Sequence, residues 1–264
     1  MRNYRHLRGF SLLEMSIVLL IIAIVAGGGA VMLSASVEKR QYDETNEKMR
    51  VIQKALLDYR RAFNRLPCPG DLTLASTNAE FGLEAGKTTN TVESCAGDSP
   101  AANYTSTFFT TANDIDVGAL PVRTLGLPDD YMFDGWGRRF TYAVDNRFTV
   151  VDAFNNIDVS EATEVRIMVL SASIATKTTS AAYVLLSHGE TGQGAYSREG
   201  DRIYVGIAGA TDGINCNCTG VGDVGTIYGM YIQAPPSQDP ADPTDINDDI
   251  VVYATRQHLR SSDE

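Results

Sequence analysis

The sequence predicts an α+β protein in which one long N-terminal helix, apolar in its first half and amphipathic in its second, packs on a mainly antiparallel β-sheet domain with long loops. Three observations carry this. Residues 15–37 form a run of 23 without an ionisable side chain. Over 42–63, apolar and aromatic residues recur at spacings of three and four. After Pro67 the chain turns into short apolar segments parted by Gly, Asn, Asp and Pro.

As a helix, the apolar run is about 34 Å long, enough to cross a hydrocarbon layer of roughly 30 Å. A wholly soluble cytosolic enzyme is therefore not expected. The residues before it carry Arg2, Arg5 and Arg8 and no acid, so the positive-inside rule keeps this end in the cytoplasm and delivers the rest across the membrane. The formal charge of −11 is unevenly divided: residues 1–66 hold 11 Lys/Arg against 6 Asp/Glu, and 67–264 hold 11 against 27. So acidic a domain, with no basic stripe, would be repelled by phosphate backbones, and nucleic acid is not expected as a partner.

All four cysteines, Cys68, Cys95, Cys216 and Cys218, lie beyond the membrane run and none belongs to a CxxC pair. Their placement implies an oxidising compartment, and four cysteines allow three pairings. Cys68 with Cys95 is the expected pair, with Cys216 joined to Cys218 or to nothing.

A cleavable secretory signal has an apolar core of about 7–15 residues, shorter than this one. An ordinary membrane anchor fits the length and the arginines but not Glu14, since a carboxylate inside an apolar segment costs about 2.5–3.5 kcal/mol on insertion scales. The stretch Gly9-Phe10-Ser11-Leu12-Leu13-Glu14-Met15-Ser16-Ile17-Val18-Leu19 resembles the processing signal of type IV pilins and type II secretion pseudopilins: a short basic leader, a Gly before the cleaved bond, then Phe-(Thr/Ser)-Leu-(Leu/Ile)-Glu and an apolar helix. The resemblance implies cleavage between Gly9 and Phe10 by the prepilin peptidase, N-methylation of Phe10, and retention of the apolar helix. It also implies that the Glu14 carboxylate attracts the Phe10 ammonium of a neighbouring subunit as the subunit enters a filament. Removing the leader takes away three arginines and leaves an ammonium four residues before Glu14, a complementary pair at low dielectric. Gly27, Gly28 and Gly29 weaken the helix in mid-span, by about 1 kcal/mol each relative to Ala.

Beyond the run, Tyr42, Thr45, Met49, Ile52, Leu56, Tyr59 and Phe63 make one helical stripe. Lys39, Arg40, Lys48, Arg50, Lys54, Arg60 and Arg61 are assigned to the opposite face. The helix is expected to end before Pro67, which disfavours helical geometry at Leu66. The layout is thus a leader over 1–9, a membrane and assembly helix over 10–37, a stem helix over 38–66 and a globular β-rich domain over 67–264. Residues 68–119 read as long loops with at most one short helix. A hairpin is expected from Phe140, Tyr142 and Val144 through a turn at 145–147 to a return over 148–151, with further strands over 165–170, 182–187, 202–207, 226–232 and 249–254.

Three segments extend the resemblance: Leu66-Pro67-Cys68-Pro69-Gly70-Asp71, Asp134-Gly135-Trp136-Gly137 and Ser187-His188-Gly189-Glu190-Thr191-Gly192-Gln193-Gly194-Ala195. The second resembles the Asp-Pro-Trp-Gly turn of major pseudopilins, with Gly135 for Pro. The third is similar to Ser-His-Gly-x-Asn-Gly-x-Gly-Ala, with Thr191 for Asn. The strand opening at Asp248-Asp249 resembles the closing strand of such proteins.

Ser187 beside His188 invites a hydrolase reading, but neighbours on a strand face opposite ways and no Gly-x-Ser-x-Gly elbow is present, so no enzyme is expected. In the acidic segment, Asp245-x-Asn247-x-Asp249 matches the first three ligand positions of a calcium loop. Ile250 and Arg256 then occupy positions that need Gly and Glu. A non-standard Ca2+ site and a solvated acidic loop both remain open, and no other cofactor is suggested. The resemblance implies a structural filament subunit, a minor one given the large acidic domain, in a type IV pilus or type II secretion pseudopilus. Its partners would be other pilin-type subunits, the prepilin peptidase and the inner-membrane assembly platform. It would reside in the inner membrane as a single-pass protein with its C-terminal domain periplasmic. The rival reading is an uncut, non-polymerising anchor carrying a periplasmic binding or adhesive domain.

Overall fold

A computed structural model describes residues 11–85, 95, 115–156, 167–171, 175–203, 215, 229–238 and 246–261, with backbone alone over 24–35. The chain divides into two compact units, residues 1–43 and 44–264. Helix α1, Leu12–Phe63, is 52 residues long and carries the chain from the first unit into the second. Among the described residues no helix is long and apolar enough to cross a membrane, and the middle of the apolar run falls on the undescribed side chains. The part of the run that is described is bare: Leu19 is 62% and Ile22 56% exposed. A helix apolar on all sides belongs in lipid or among partner helices.

In the second unit the stripe is buried at Thr45, Met49, Ile52, Leu56 and Tyr59. Full burial of Met49, Ile52 and Leu56 contributes roughly 1.5–3 kcal/mol each. The stripe fades at both ends, where Tyr42 is half-buried and Phe63 exposed. Two residues assigned to the solvent face are buried instead, Lys48 and Arg60. Both sit three or four positions from stripe residues, so helical geometry places them inward and chemistry accommodates them. The Lys48 ammonium donates to Phe133 O at 3.1 Å and pairs with Glu44 at 2.9 Å and Asp130 at 3.0 Å. The Arg60 guanidinium lies over the Phe154 ring, 4.7 Å from its centroid.

The helix stops at Phe63, three residues before the expected end. Asn64 takes a left-handed conformation, φ 53°, and its N–H donates to Arg60 O at 2.7 Å, capping the last turn as a residue that tolerates this region. Arg65 then clamps the Glu84 carboxylate with two hydrogen bonds of 2.8 Å, and Glu84 also accepts from Tyr59 and from the Cys68 N–H. Burial opposes the charge on Glu84, but these donors outweigh it and hold its carboxyl below the ordinary range.

The main sheet is wholly antiparallel, in the order β1 (Ile115–Ala119), β2 (Thr141–Asp145), β5 (Ala181–Ser187), β9 (Ile250–Thr255). Every residue of β5 is buried, as befits a central strand covered on both faces and written as a near-continuous apolar run. One face meets α1, where Tyr183 hydrogen-bonds Gln53 and its ring lies tilted against that of Tyr142, centroids 6.1 Å apart. On the other, Ala143, Val184, Leu186 and Val251 pack with Ile167, Val169 and Tyr231. The last three belong to or adjoin a smaller sheet, β4 (Thr176–Thr178), β3 (Met168–Leu170), β6 (Met230–Ile232), in which β3 and β6 run parallel. Helix, sheet and small sheet are the three layers. Strands β7 (Ser237–Gln238) and β8 (Ile246–Asn247) form a separate ribbon.

The expected hairpin is absent. After β2 the chain enters a 3-10 turn, Asn146–Thr149, because Asp145 accepts the Arg147 N–H at 3.0 Å and holds its guanidinium at 2.6 Å. Phe148 is thereby turned inward onto Phe154, ring centroids 5.2 Å apart. The neighbour of β2 is instead β1, drawn from a stretch expected to be loop. The strands expected over 182–187 and 249–254 form within a residue of those limits. Those over 165–170 and 226–232 are seen only as β3 and β6, and most of 202–207 lies outside the described residues.

Candidate functional site

The N-terminal segment supplies the first part of the site. Gly9 and Phe10 lie outside the described residues. Helix α1 opens immediately after Ser11, and the first turn of a helix leaves its N–H groups without intrahelical acceptors. Ser11 Oγ accepts the Leu13 N–H at 3.3 Å, and Glu14 Oε2 reaches back to accept the Ser11 N–H at 3.0 Å. This reciprocal arrangement is a capping box. Its signature, Ser-x-x-Glu ahead of an apolar run, stands in the sequence, and treating Glu14 only as a charge overlooks it. In the first turn the carboxylate also faces the positive end of the helix dipole.

The second part brings together the motif segments of the globular domain. The Asp134 carboxylate organises the 134–138 turn, Oδ1 accepting the Trp136 and Arg138 N–H groups at 2.9 Å each. Its Oδ2 accepts the Ser187 hydroxyl at 2.7 Å, tying the turn to the end of β5. Burial raises the Asp134 carboxyl above its ordinary value, opposed by these three hydrogen bonds. Gly135, where the pseudopilin turn has Pro, uses its N–H to bond Thr45 Oγ1 at 2.9 Å, which a proline could not do. One turn of α1, Thr45 and Lys48, therefore grips the 133–135 backbone.

Arg138 donates to Gly189 O and Glu190 O, and Arg139, fully buried, donates to Ser197 O at 2.8 Å and Arg198 O at 2.7 Å. Gly189 has φ +52°, and a Cβ there would strike Asp248 O, so glycine is required. Thr191 gives its N–H and hydroxyl to the two Asp248 oxygens, the hydroxyl at 3.0 Å, which clasps the loop to the start of the closing strand.

Ser187 and His188 have separate partners. The His188 Nε2 lies 3.1 Å from Thr141 Oγ1, and Nδ1 faces Asp249 at 3.9 Å, while Ser187 binds Asp134. The pair is not a nucleophile and its base. Complete burial, reinforced by Arg202 and Arg138, pushes the His188 pKa down to about 3, so the ring is neutral despite Asp249. No catalytic assignment follows from this geometry.

Of the calcium residues, Asp245 lies outside the described residues. Asn247 donates to Pro235 O at 2.9 Å, whereas Asp249 is buried against His188. Among the described residues no three His, Cys, Asp or Glu side chains converge to hold a metal. The Cys68 and Cys95 sulfurs are 2.17 Å apart, at disulfide distance; Cys216 and Cys218 lie outside the described residues.

Comparison with curated proteins and with solved structures finds no match. Residues 4–30 match the prokaryotic N-terminal methylation motif, a span that covers the basic residues Arg5 and Arg8, the Gly9-Phe10 junction, the Ser11–Glu14 box and the start of the apolar helix. The chain accordingly carries a prepilin-type N-terminal methylation motif, which supports a type IV pilin-like protein.

Proposed function

We propose that the protein is a minor structural subunit of a type IV pilus or a type II secretion pseudopilus. In this reading it is inserted in the inner membrane with residues 1–9 cytoplasmic and the globular domain periplasmic. Prepilin peptidase cuts between Gly9 and Phe10, and the 10–37 helix then carries the subunit from the membrane into a filament of other pilin-type subunits on the assembly platform. Its part there is structural rather than enzymatic. The observation that carries the reading is the methylation motif over residues 4–30, in which the one acid of the apolar segment, Glu14, stands at the first turn of a helix that continues without a break to Phe63. A carboxylate at that depth in a membrane protein is costly unless paired, and a neighbouring Phe10 ammonium would pair it.

The test is incorporation. Filaments sheared from native cells should contain the protein, and a Glu14→Lys variant should be inserted in the membrane yet missing from them. A wild-type protein found only in membranes, with other subunits abundant in the sheared fraction, would instead favour an anchored domain that never polymerises.

A further inference from the structure

We propose that the side-chain amide of Asn215 closes the outer edge of β6 against strand addition by a second chain. Among the described residues β6 is the last strand of the small sheet, with β3 on one side only. Along a strand, successive residues turn their N–H and C=O groups to opposite sides. The Met168 N–H goes to Gly229 O at 2.7 Å and the Gln233 N–H to Leu170 O at 2.8 Å. Residues 229, 231 and 233 therefore turn toward β3, and Ile232, between two of them, turns both of its backbone groups outward. Such a pair, left open on an outer strand, is a template for the extended strand of another chain.

Asn215 takes both groups. Its Nδ2 donates to Ile232 O at 3.0 Å, and its Oδ1 accepts the Ile232 N–H at 2.7 Å. These are the two bonds that a facing residue of an antiparallel strand would exchange with Ile232, supplied by one amide that carries both a donor and an acceptor. Asn215 is 4% and Ile232 3% exposed, so water does not compete for the contact. The next residue, Gln233, turns its own amide to β9, the outer strand of the main sheet, and gives Nε2–H to Val251 O at 2.7 Å. Without the Asn215 amide a buried donor and a buried acceptor lose their partners together, which favours opening of the edge.

The experiment uses the full-length protein in detergent, as wild type, Asn215→Ala, Asn215→Asp and Leu56→Ala, the last weakened at the stem helix and not at this edge. Amide hydrogen exchange is followed at Ile232 and Tyr231, and mass by sedimentation over a range of concentrations. In the wild type the Ile232 amide should be as protected as that of Tyr231, which faces β3; fast exchange there overturns the proposal. In dilute Asn215→Ala the Ile232 amide should exchange about tenfold faster, the equilibrium effect of one hydrogen bond. At higher concentration this variant should form species larger than wild type in which Ile232 is again protected, because the strand of a second chain now pairs with it. Leu56→Ala should keep the wild-type mass. So should Asn215→Asp, which is close in shape, loses the donor and sets a charge on the edge, where charge opposes strand addition. An Asn215→Ala protein that folds and keeps the wild-type mass at every concentration makes Asn215 a local tie and overturns the proposal. Association that leaves Ile232 unprotected, or that Leu56→Ala or Asn215→Asp shows equally, reports general exposure of the core and overturns it too.

Discussion

His188 gives the domain a defined sensitivity to acid. It is completely buried, and its pKa is driven from the ordinary 6.5 to about 3 by burial and by the Arg202 and Arg138 charges. Between those values the unfolded chain binds a proton at this position and the folded chain does not, so stability falls as pH drops through that window and is fully present above it. Between pH 7 and pH 4 the unfolded imidazole gains about 2.5 pH units of protonation at 1.36 kcal/mol each, which makes the loss about 3 kcal/mol. Denaturant unfolding of the detergent-solubilised protein at both pH values, beside His188→Gln, isolates this contribution, since the variant keeps every other titrating group, Glu84 and Asp134 included. The stability difference between wild type and variant should shift by about 3 kcal/mol against wild type on going to pH 4. A difference that does not move with pH, or a wild type that gains stability in acid relative to the variant, would refute the reasoning. The latter result would mean that Asp249, 3.9 Å away, sets the charge.

Two further predictions concern the grip of the stem helix on the domain. Leu56→Ala empties a fully buried position and should cost about 2–5 kcal/mol by denaturant unfolding. Gly135→Pro removes the N–H bonded to Thr45 and should cost about 1 kcal/mol, with Thr45→Val adding little to it in a double-mutant cycle because both changes delete one contact.

What is legible in the sequence is whatever depends on period and on local rules. The stripe through Met49, Ile52 and Leu56, the buried run 182–187 and the closing strand all follow from spacing. Polarity misleads where chemistry overrides it: Lys48 and Arg60 turn inward beside the stripe, and the Phe133 carbonyl with Glu44 and Asp130, or the Phe154 ring, make those positions tolerable for a cation. The hairpin after β2 does not form because Asp145 captures the Arg147 N–H, a side-chain contact that no alternation of apolar residues reveals. Strand β1 is hidden by length, five residues amid Thr- and Asn-rich chain, and its pairing with β2 is a long-range choice. At the functional end, Glu14 stands out as a charge in apolar surroundings, whereas its bond to Ser11 needs the capping signature as well. The convergence of the 134–139 turn, the 187–196 loop and Asp248 depends on topology, which no local pattern in the sequence reveals.

The most direct test of the prepilin reading is the N-terminus of the protein as it stands in its native membrane, determined by intact mass and N-terminal peptide sequencing. The expected result is a mature chain that begins with N-methylated Phe10, with residues 1–9 gone and Glu14 retained four residues after the new ammonium. A chain that still begins at Met1 would contradict the reading and leave a membrane-anchored domain; a chain that begins near Val37 would reduce the apolar run to a secretory signal.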